Sequence, residues 1–138
     1  MQTNVRFTLI AAAAIAATAF GIGVAVGQQT PPTANRGVTA SAPTFLDLPQ
    51  EIDSVEGRQL RLRIVTIEPG GVVALHSHKG RPTVAHLVSG VLTERREGDW
   101  VKVHQPGESW TEGHDVTHWA ENHGTIPTVV VAVDVFKP

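Results

Sequence analysis

From Phe45 onward the chain is a series of short apolar runs, each ended by a turn signal, at intervals of roughly ten residues. Leu60–Ile67 alternates apolar and charged residues at first, as a half-buried strand does, and Pro69-Gly70-Gly71 breaks it. Val72–His76 is the next run, stopped around Lys79-Gly80-Arg81-Pro82. Val84–Val88 and Val91–Arg95 follow on either side of Ser89-Gly90, and Trp100–His104 comes after Glu97-Gly98-Asp99. Ser109–Thr111 and Val116–Glu121 flank the Gly113–Asp115 loop, and Thr128–Phe136 closes the chain as a long β-branched strand. No helical periodicity appears, and Pro49 and Gly57 leave room only for a short turn within Thr44–Gly57. Many short strands at this spacing define an all-β sandwich or barrel over residues 45–138.

The two segments before this domain read differently. Phe7–Gly27 is continuously apolar and alanine-rich, follows one positive charge, and ends in Ala25-Val26-Gly27. Residues 1–27 therefore read as a signal peptide or, since the apolar stretch is long enough to cross a bilayer, as a retained membrane anchor. Either reading makes the domain periplasmic or secreted, with the membrane touched only through residues 7–27 if they stay attached. Residues 28–44 are rich in Pro, Thr, Ala and Ser without apolar periodicity, the composition of a disordered tether.

Composition removes several function classes. There is no cysteine, which excludes disulfides and thiolate ligands, and the net charge is only −2. No Lys/Arg cluster exists, so no nucleic-acid surface is expected. Arg61 and Arg63 read as one solvated strand face, and Arg95-Arg96 as a hairpin tip. The domain is small, with four Phe, three Trp and no Tyr, so a homodimer is a plausible source of further burial. No Gly-x-Ser-x-Gly surrounds a serine, Glu108 and Glu112 define no glycosidase geometry, and no glycine-rich loop opens a helix.

All seven histidines fall between His76 and His123. Neutral imidazole presents a nitrogen lone pair near neutral pH, which makes histidine the commonest metal ligand. In His76-Ser77-His78 the two imidazoles are two residues apart, so on a strand they share one face and can approach one ion.

The spacing around this pair resembles the two-motif signature of the cupin superfamily. The first motif is Gly, five residues, His-x-His, three or four residues, Glu, six residues, Gly. Here Gly70, His76, His78, Thr83 and Gly90 occupy those places. The second motif is Gly, five residues, Pro-x-Gly, two residues, His, three residues, Asn. Gly107, His118 and Asn122 match it, while Gly113-His114-Asp115, residues that also suit a tight turn, replaces the Pro-x-Gly.

The resemblance implies a cupin double-stranded β-helix, a jelly-roll barrel, whose divalent metal (Fe, Mn, Ni, Cu or Zn) is held by His76, His78 and His118. Thr83 stands where the family usually has a glutamate ligand. A neutral hydroxyl is a poor ligand, so three histidines plus water are expected, a site more positive than usual and suited to an anionic substrate. Thr83 and His114 are further candidates, as ligands or as groups bonded to ligands, and His114 is the best acid/base candidate; no catalytic residue is assigned.

Strand parity puts His86 on the face away from the metal, packing between sheets or at an interface, unless a bulge turns it inward as a fourth ligand. His104 is expected to be exposed, His123 to belong to a turn, Asn122 to fix the turn after the ligand strand, and Trp119 to lie in the core. Trp110 could line the cavity or the outer sheet. The functional expectation is a metalloenzyme acting on a small organic substrate by dioxygenase-, isomerase- or decarboxylase-like chemistry. The rivals are a non-catalytic small-molecule binding or sensor module, and a structural β-sandwich with vestigial histidines.

Overall fold

A computed structural model describes residues 29–138. The apolar export or anchor segment, residues 1–27, lies outside the described residues. Nine strands form one continuous curled sheet: β1 (Arg36–Ala40), β2 (Thr44–Asp47), β3 (Gln59–Ser77), β4 (Thr83–Ser89), β5 (Leu92–Arg96), β6 (Val101–His104), β7 (Ser109–Glu112), β8 (Thr117–Glu121) and β9 (Thr128–Phe136). A single 3-10 turn at Leu48–Gln50 occupies the place where a short turn was expected, and there is no α-helix among the described residues. The pairings are antiparallel, in the order β6-β5-β8-β3-β9-β4-β7, with β1 and β2 also paired to β3. The all-β class expected from the apolar pattern is the class observed.

Strand β3 is the spine of this arrangement. Sequence breaks at Pro69-Gly70-Gly71 divide it in two, but in the structure it bends there and continues. Residues 59–67 pair with β9 and residues 72–77 with β8, so this one strand joins the β9 and β8 sides of the curled sheet. The bend is fixed by Asn122: its backbone carbonyl accepts from the Gly70 N–H, and its own N–H donates to the Gly71 carbonyl. The buried Asn122 side chain donates to the carbonyls of Ile67 and Ile126 and accepts from the Gly124 N–H, the turn-fixing role expected of it.

Residues 36–40, assigned by composition to a tether, are a strand. β1 lies against Val65–Ile67 and Val72 of β3, and Val38 packs against the core. Asn35 Oδ1 accepts from the Ala74 N–H, and Arg36 Nη2 donates to the Gly70 carbonyl. The strand is held by backbone pairing rather than by apolar alternation, so composition could not reveal it.

The core comprises Ile67, Ala85, Leu87, Leu92, Ala120 and Val130, drawn from the inward faces of β3, β4, β5, β8 and β9. Gly90, the last residue of the first motif, sits at φ +75°, where a Cβ would come within 2.7 Å of the Pro127 carbonyl and Thr128. Only glycine allows both that conformation and that approach between the β4–β5 turn and the start of β9.

The charged face of β3 reverses the expectation. Leu62 and Ile64 are exposed, whereas Arg61 and Arg63 point inward onto Asp134 of β9, whose side chain is fully buried. Alternation predicts two faces but not which one is inside; here a buried carboxylate draws the guanidiniums in.

Candidate metal centre

The strands bring His76, His78 and His118 together at one end of the barrel interior. His76 and His78 leave the end of β3 on one face, and β8 places His118 directly opposite His76 in the antiparallel register. The Nε2 atom of His118 is 3.1 Å from the Nε2 of both His76 and His78.

The other nitrogens show that these three atoms are lone pairs. His76 Nδ1 donates to the Ala74 carbonyl at 2.8 Å. His78 Nδ1 lies 2.9 Å from Thr83 Oγ1 and 3.2 Å from the Arg81 carbonyl, and the Thr83 hydroxyl donates to that same carbonyl. His118 Nδ1 donates to Glu94 Oε1 at 3.0 Å. With every Nδ1 acting as a donor, each neutral ring turns a bare Nε2 toward the others. Three converging lone pairs repel unless a cation lies between them. Nitrogens bound at ~2.1 Å to one ion sit about 3.0 Å apart at a right angle and about 3.4 Å apart at a tetrahedral one, so the spacing suits a shared metal. The three residues form a group able to hold a metal ion.

A carboxylate from β7 stands beside this group. Glu112 Oε2 is 3.1 Å from His78 Nε2, and its Oε1 is 3.6 Å from His118 Nε2. Trp110 Nε1 donates to Glu112 Oε1 and fixes the carboxylate. The group able to hold a metal is the three histidines expected; Thr83 lies on the far side of His78, and the Glu112 carboxylate stands beside the cluster from the neighbouring strand. Nothing in the motif spacing could place Glu112, because it enters through the pairing of β4 with β7.

Behind His118 lies a buried polar chain. Glu94 of β5 accepts from His118 through Oε1 and from His104 Nε2 through Oε2, and Arg96 also donates to it. Burial alone would raise the Glu94 carboxyl, but the hydrogen bonds from His118, His104 and Arg96 outweigh it and hold the pKa at about 2. Glu94 thus fixes the tautomer of His118, as carboxylates commonly do for metal-binding imidazoles.

His104, expected to be exposed, is buried and stacked on Trp110 at 3.9 Å, because it ends β6 where the barrel closes. Burial is also the main cause that lowers His76 and His78 to about 4 each, with His118 and Arg81 adding to it; for His76 the Ala74 hydrogen bond opposes the shift in part. Both rings are neutral, the form that binds metal. Burial pushes the Glu112 carboxyl up.

The remaining histidines lie elsewhere. His86 is exposed on the outer face of β4, bonded to Ser109, so no bulge turns it inward. His123 is exposed beside Glu121. His114 is exposed on the β7–β8 loop and is not among the residues that line the cavity. Trp119 is buried, as a core residue. Trp110 lines the cavity, settling the alternative left open by its position.

The histidines open into a cavity of about 340 Å³. Val38, Val65, Val73 and Val130 line its apolar wall, and Arg63 and Arg81 stand with the histidines and Glu112.

No family model and no curated protein matches the sequence. Among solved structures the chain is similar to the Cupin_2 domain of an XRE family transcriptional regulator from Enterobacter cloacae, with 14% identity, 75% of this chain and 99% of that one covered, and a TM-score of 0.55. The polyketide cyclase RemF from Streptomyces resistomycificus gives a TM-score of 0.58 at 14% identity, covering 75% of this chain and 68% of that one. Oxalate oxidase in complex with the substrate analogue glycolate gives 0.52 at 21% identity, covering 71% and 50%. The chain has the cupin fold, a double-stranded β-helix. Within that fold it carries three neighbouring histidines able to bind a metal.

Proposed function

We propose that this chain is an exported metalloenzyme that holds one divalent ion through His76, His78, His118 and Glu112 and acts on a small organic molecule in the adjoining cavity. The observation that carries the reading is the convergence of three bare imidazole nitrogens and one carboxylate at the mouth of an apolar cavity. Such an ion, when bound with open positions, polarises a substrate oxygen or activates dioxygen. The protein's own contributions are distinct. Glu94 and the Ala74 and Arg81 carbonyls orient the three rings, Trp110 holds Glu112, and the valines offer an apolar surface to the substrate.

The oxalate oxidase and RemF neighbours support an enzyme; its chemistry is read as dioxygenase-, isomerase- or decarboxylase-like, with the first favoured. Fe, Mn, Ni, Cu and Zn all suit imidazole and carboxylate donors. Export is proposed from the apolar Phe7–Gly27 segment. A binding or sensor module is the second reading, favoured by the regulator-associated cupin domain that the chain covers almost completely.

The test is elemental analysis of untagged protein beside His118→Ala, followed by oxygen-uptake assays with small organic acids. One metal per chain, lost in the variant, is the expected result. Absence of metal, or its retention by the variant, sinks the reading. Stoichiometric metal without turnover of any candidate shifts the assignment to the binding module.

A further inference from the structure

Three guanidiniums surround one carboxylate inside this barrel. Arg61 saturates Asp134, with Nε at 3.0 Å from Oδ1 and Nη2 at 2.7 Å from Oδ2, and its planar group lies 3.7 Å over the Phe136 ring. Arg63 and Arg81 receive only what is left: Nη2 of Arg63 is 3.3 Å from Asp134 Oδ2, and Nη1 of Arg81 is 3.5 Å from it. Arg63 Nε is buried without any hydrogen-bond partner. Both side chains line the cavity that holds His76, His78 and Glu112.

A buried donor without a partner is costly, and a guanidinium presents its N–H groups as a planar fork that fits a carboxylate. The positive charge left over at this wall is not matched by Glu112, which is turned toward the histidines. Val65, two residues from Arg63 on the same face of β3, and Val38, Val73 and Val130 give the rest of the cavity wall its apolar character. A ligand that satisfies both sides has one carboxylate and a compact apolar body.

We propose that Arg63 and Arg81 form a carboxylate-binding subsite, which makes the substrate of the metal centre a small organic acid with a hydrocarbon body. The subsite itself needs only the arginines; the word substrate rests on the metalloenzyme reading above. Arg81 is well placed for this work. Its loop is fixed by the Arg81 N–H donating to the His78 carbonyl and by Arg58 Nη1 donating to the Gly80 carbonyl.

The experiment is isothermal titration of benzoate and of benzamide, its uncharged counterpart, into metal-free protein and into protein loaded with one divalent ion. Benzoate is expected to bind both forms, and benzamide at least about tenfold more weakly, the worth of a charge-assisted hydrogen bond. Arg63→Gln and Arg81→Gln are expected to remove that preference while leaving metal content unchanged. Equal binding of benzamide, or no binding of benzoate, overturns the proposal without recourse to variants that fold poorly. Inorganic phosphate binding as tightly as benzoate overturns the assignment to an organic acid. Benzoate selectivity in a protein that takes up no metal keeps the subsite and removes the metalloenzyme reading, so the two failures are separable.

Discussion

Thr83 and Glu112 face each other across the β4–β7 ladder, so the position where the cupin motif usually has a glutamate is paired with a glutamate on the neighbouring strand. In the described residues both are buried, and both contact His78, Thr83 at Nδ1 and Glu112 at Nε2. One imidazole is held from both sides by two neighbouring strands. Glu112→Thr is expected to weaken metal binding by at least ~10-fold, since removing even an outer partner of a metal site costs that much. Adding Thr83→Glu to that variant should restore much of the loss, because the two positions are cross-strand neighbours on one face. Chelator-competition titrations check both. Wild-type affinity in Glu112→Thr alone would place Glu112 outside the metal's ligands.

Glu94 is the support behind His118. Glu94→Gln keeps the shape but removes the charge that His118, His104 and Arg96 all address. Metal affinity should fall by about 10–100-fold, with His118 still present. The melting temperature of the metal-free protein should also fall, because a carboxylate held at about pKa 2 contributes stability at neutral pH that an amide cannot. An unchanged affinity would show that His118 needs no orienting partner.

The metal-free protein should lose stability on mild acidification. His76 and His78 titrate at about 4 when folded, against 6.5 for a free imidazole. Between those values the unfolded chain binds more protons than the folded one, so stability falls as pH falls through the window. Glu112 works in the opposite direction, because its raised folded pKa favours the folded state as it takes up a proton. Glu94 adds to the loss at the acid end of the window, because its carboxyl takes up a proton near 4.5 in the unfolded chain while the folded one, held at about 2, does not. Thermal melts at pH 7.0, 5.5 and 4.5 are expected to show a steady drop that His78→Asn reduces. A flat profile would contradict the burial of neutral imidazoles.

Strand β1 makes a further test simple. A chain beginning at residue 29 retains it, and a chain beginning at residue 41 loses Val38, the Asn35–Ala74 bond and the Arg36–Gly70 bond. The shorter form should melt lower, with each kcal/mol lost worth about 4–8 °C in a domain of this size. Equal melting temperatures would mean that β1 only rests on β3.

The fold and half of the site were legible in the sequence for identifiable reasons. His76 and His78 could be read because strand parity fixes which residues share a face, and His118 because the second motif fixes its distance from Asn122. Glu112, Glu94 and Arg63 were not legible, because each enters the interior through a register between strands distant in sequence. The alternation at Leu60–Ile64 was real, but it fits either orientation, and only Asp134 on β9 decides that the arginines go inward. His104 failed for a similar reason: its parity with Trp100 and Lys102 placed it outside, whereas the closing barrel end buries it against Trp110.

The bend in β3 at Pro69–Gly71 has one more consequence. Arg63 and His76 belong to the same strand, on opposite sides of a corner that Asn122 clamps through both glycines. Their separation is set by covalent backbone and two fixed hydrogen bonds, not by the docking of independent parts. The pocket therefore has a built-in gauge, and a ligand that gripped both ends would be selected by its length.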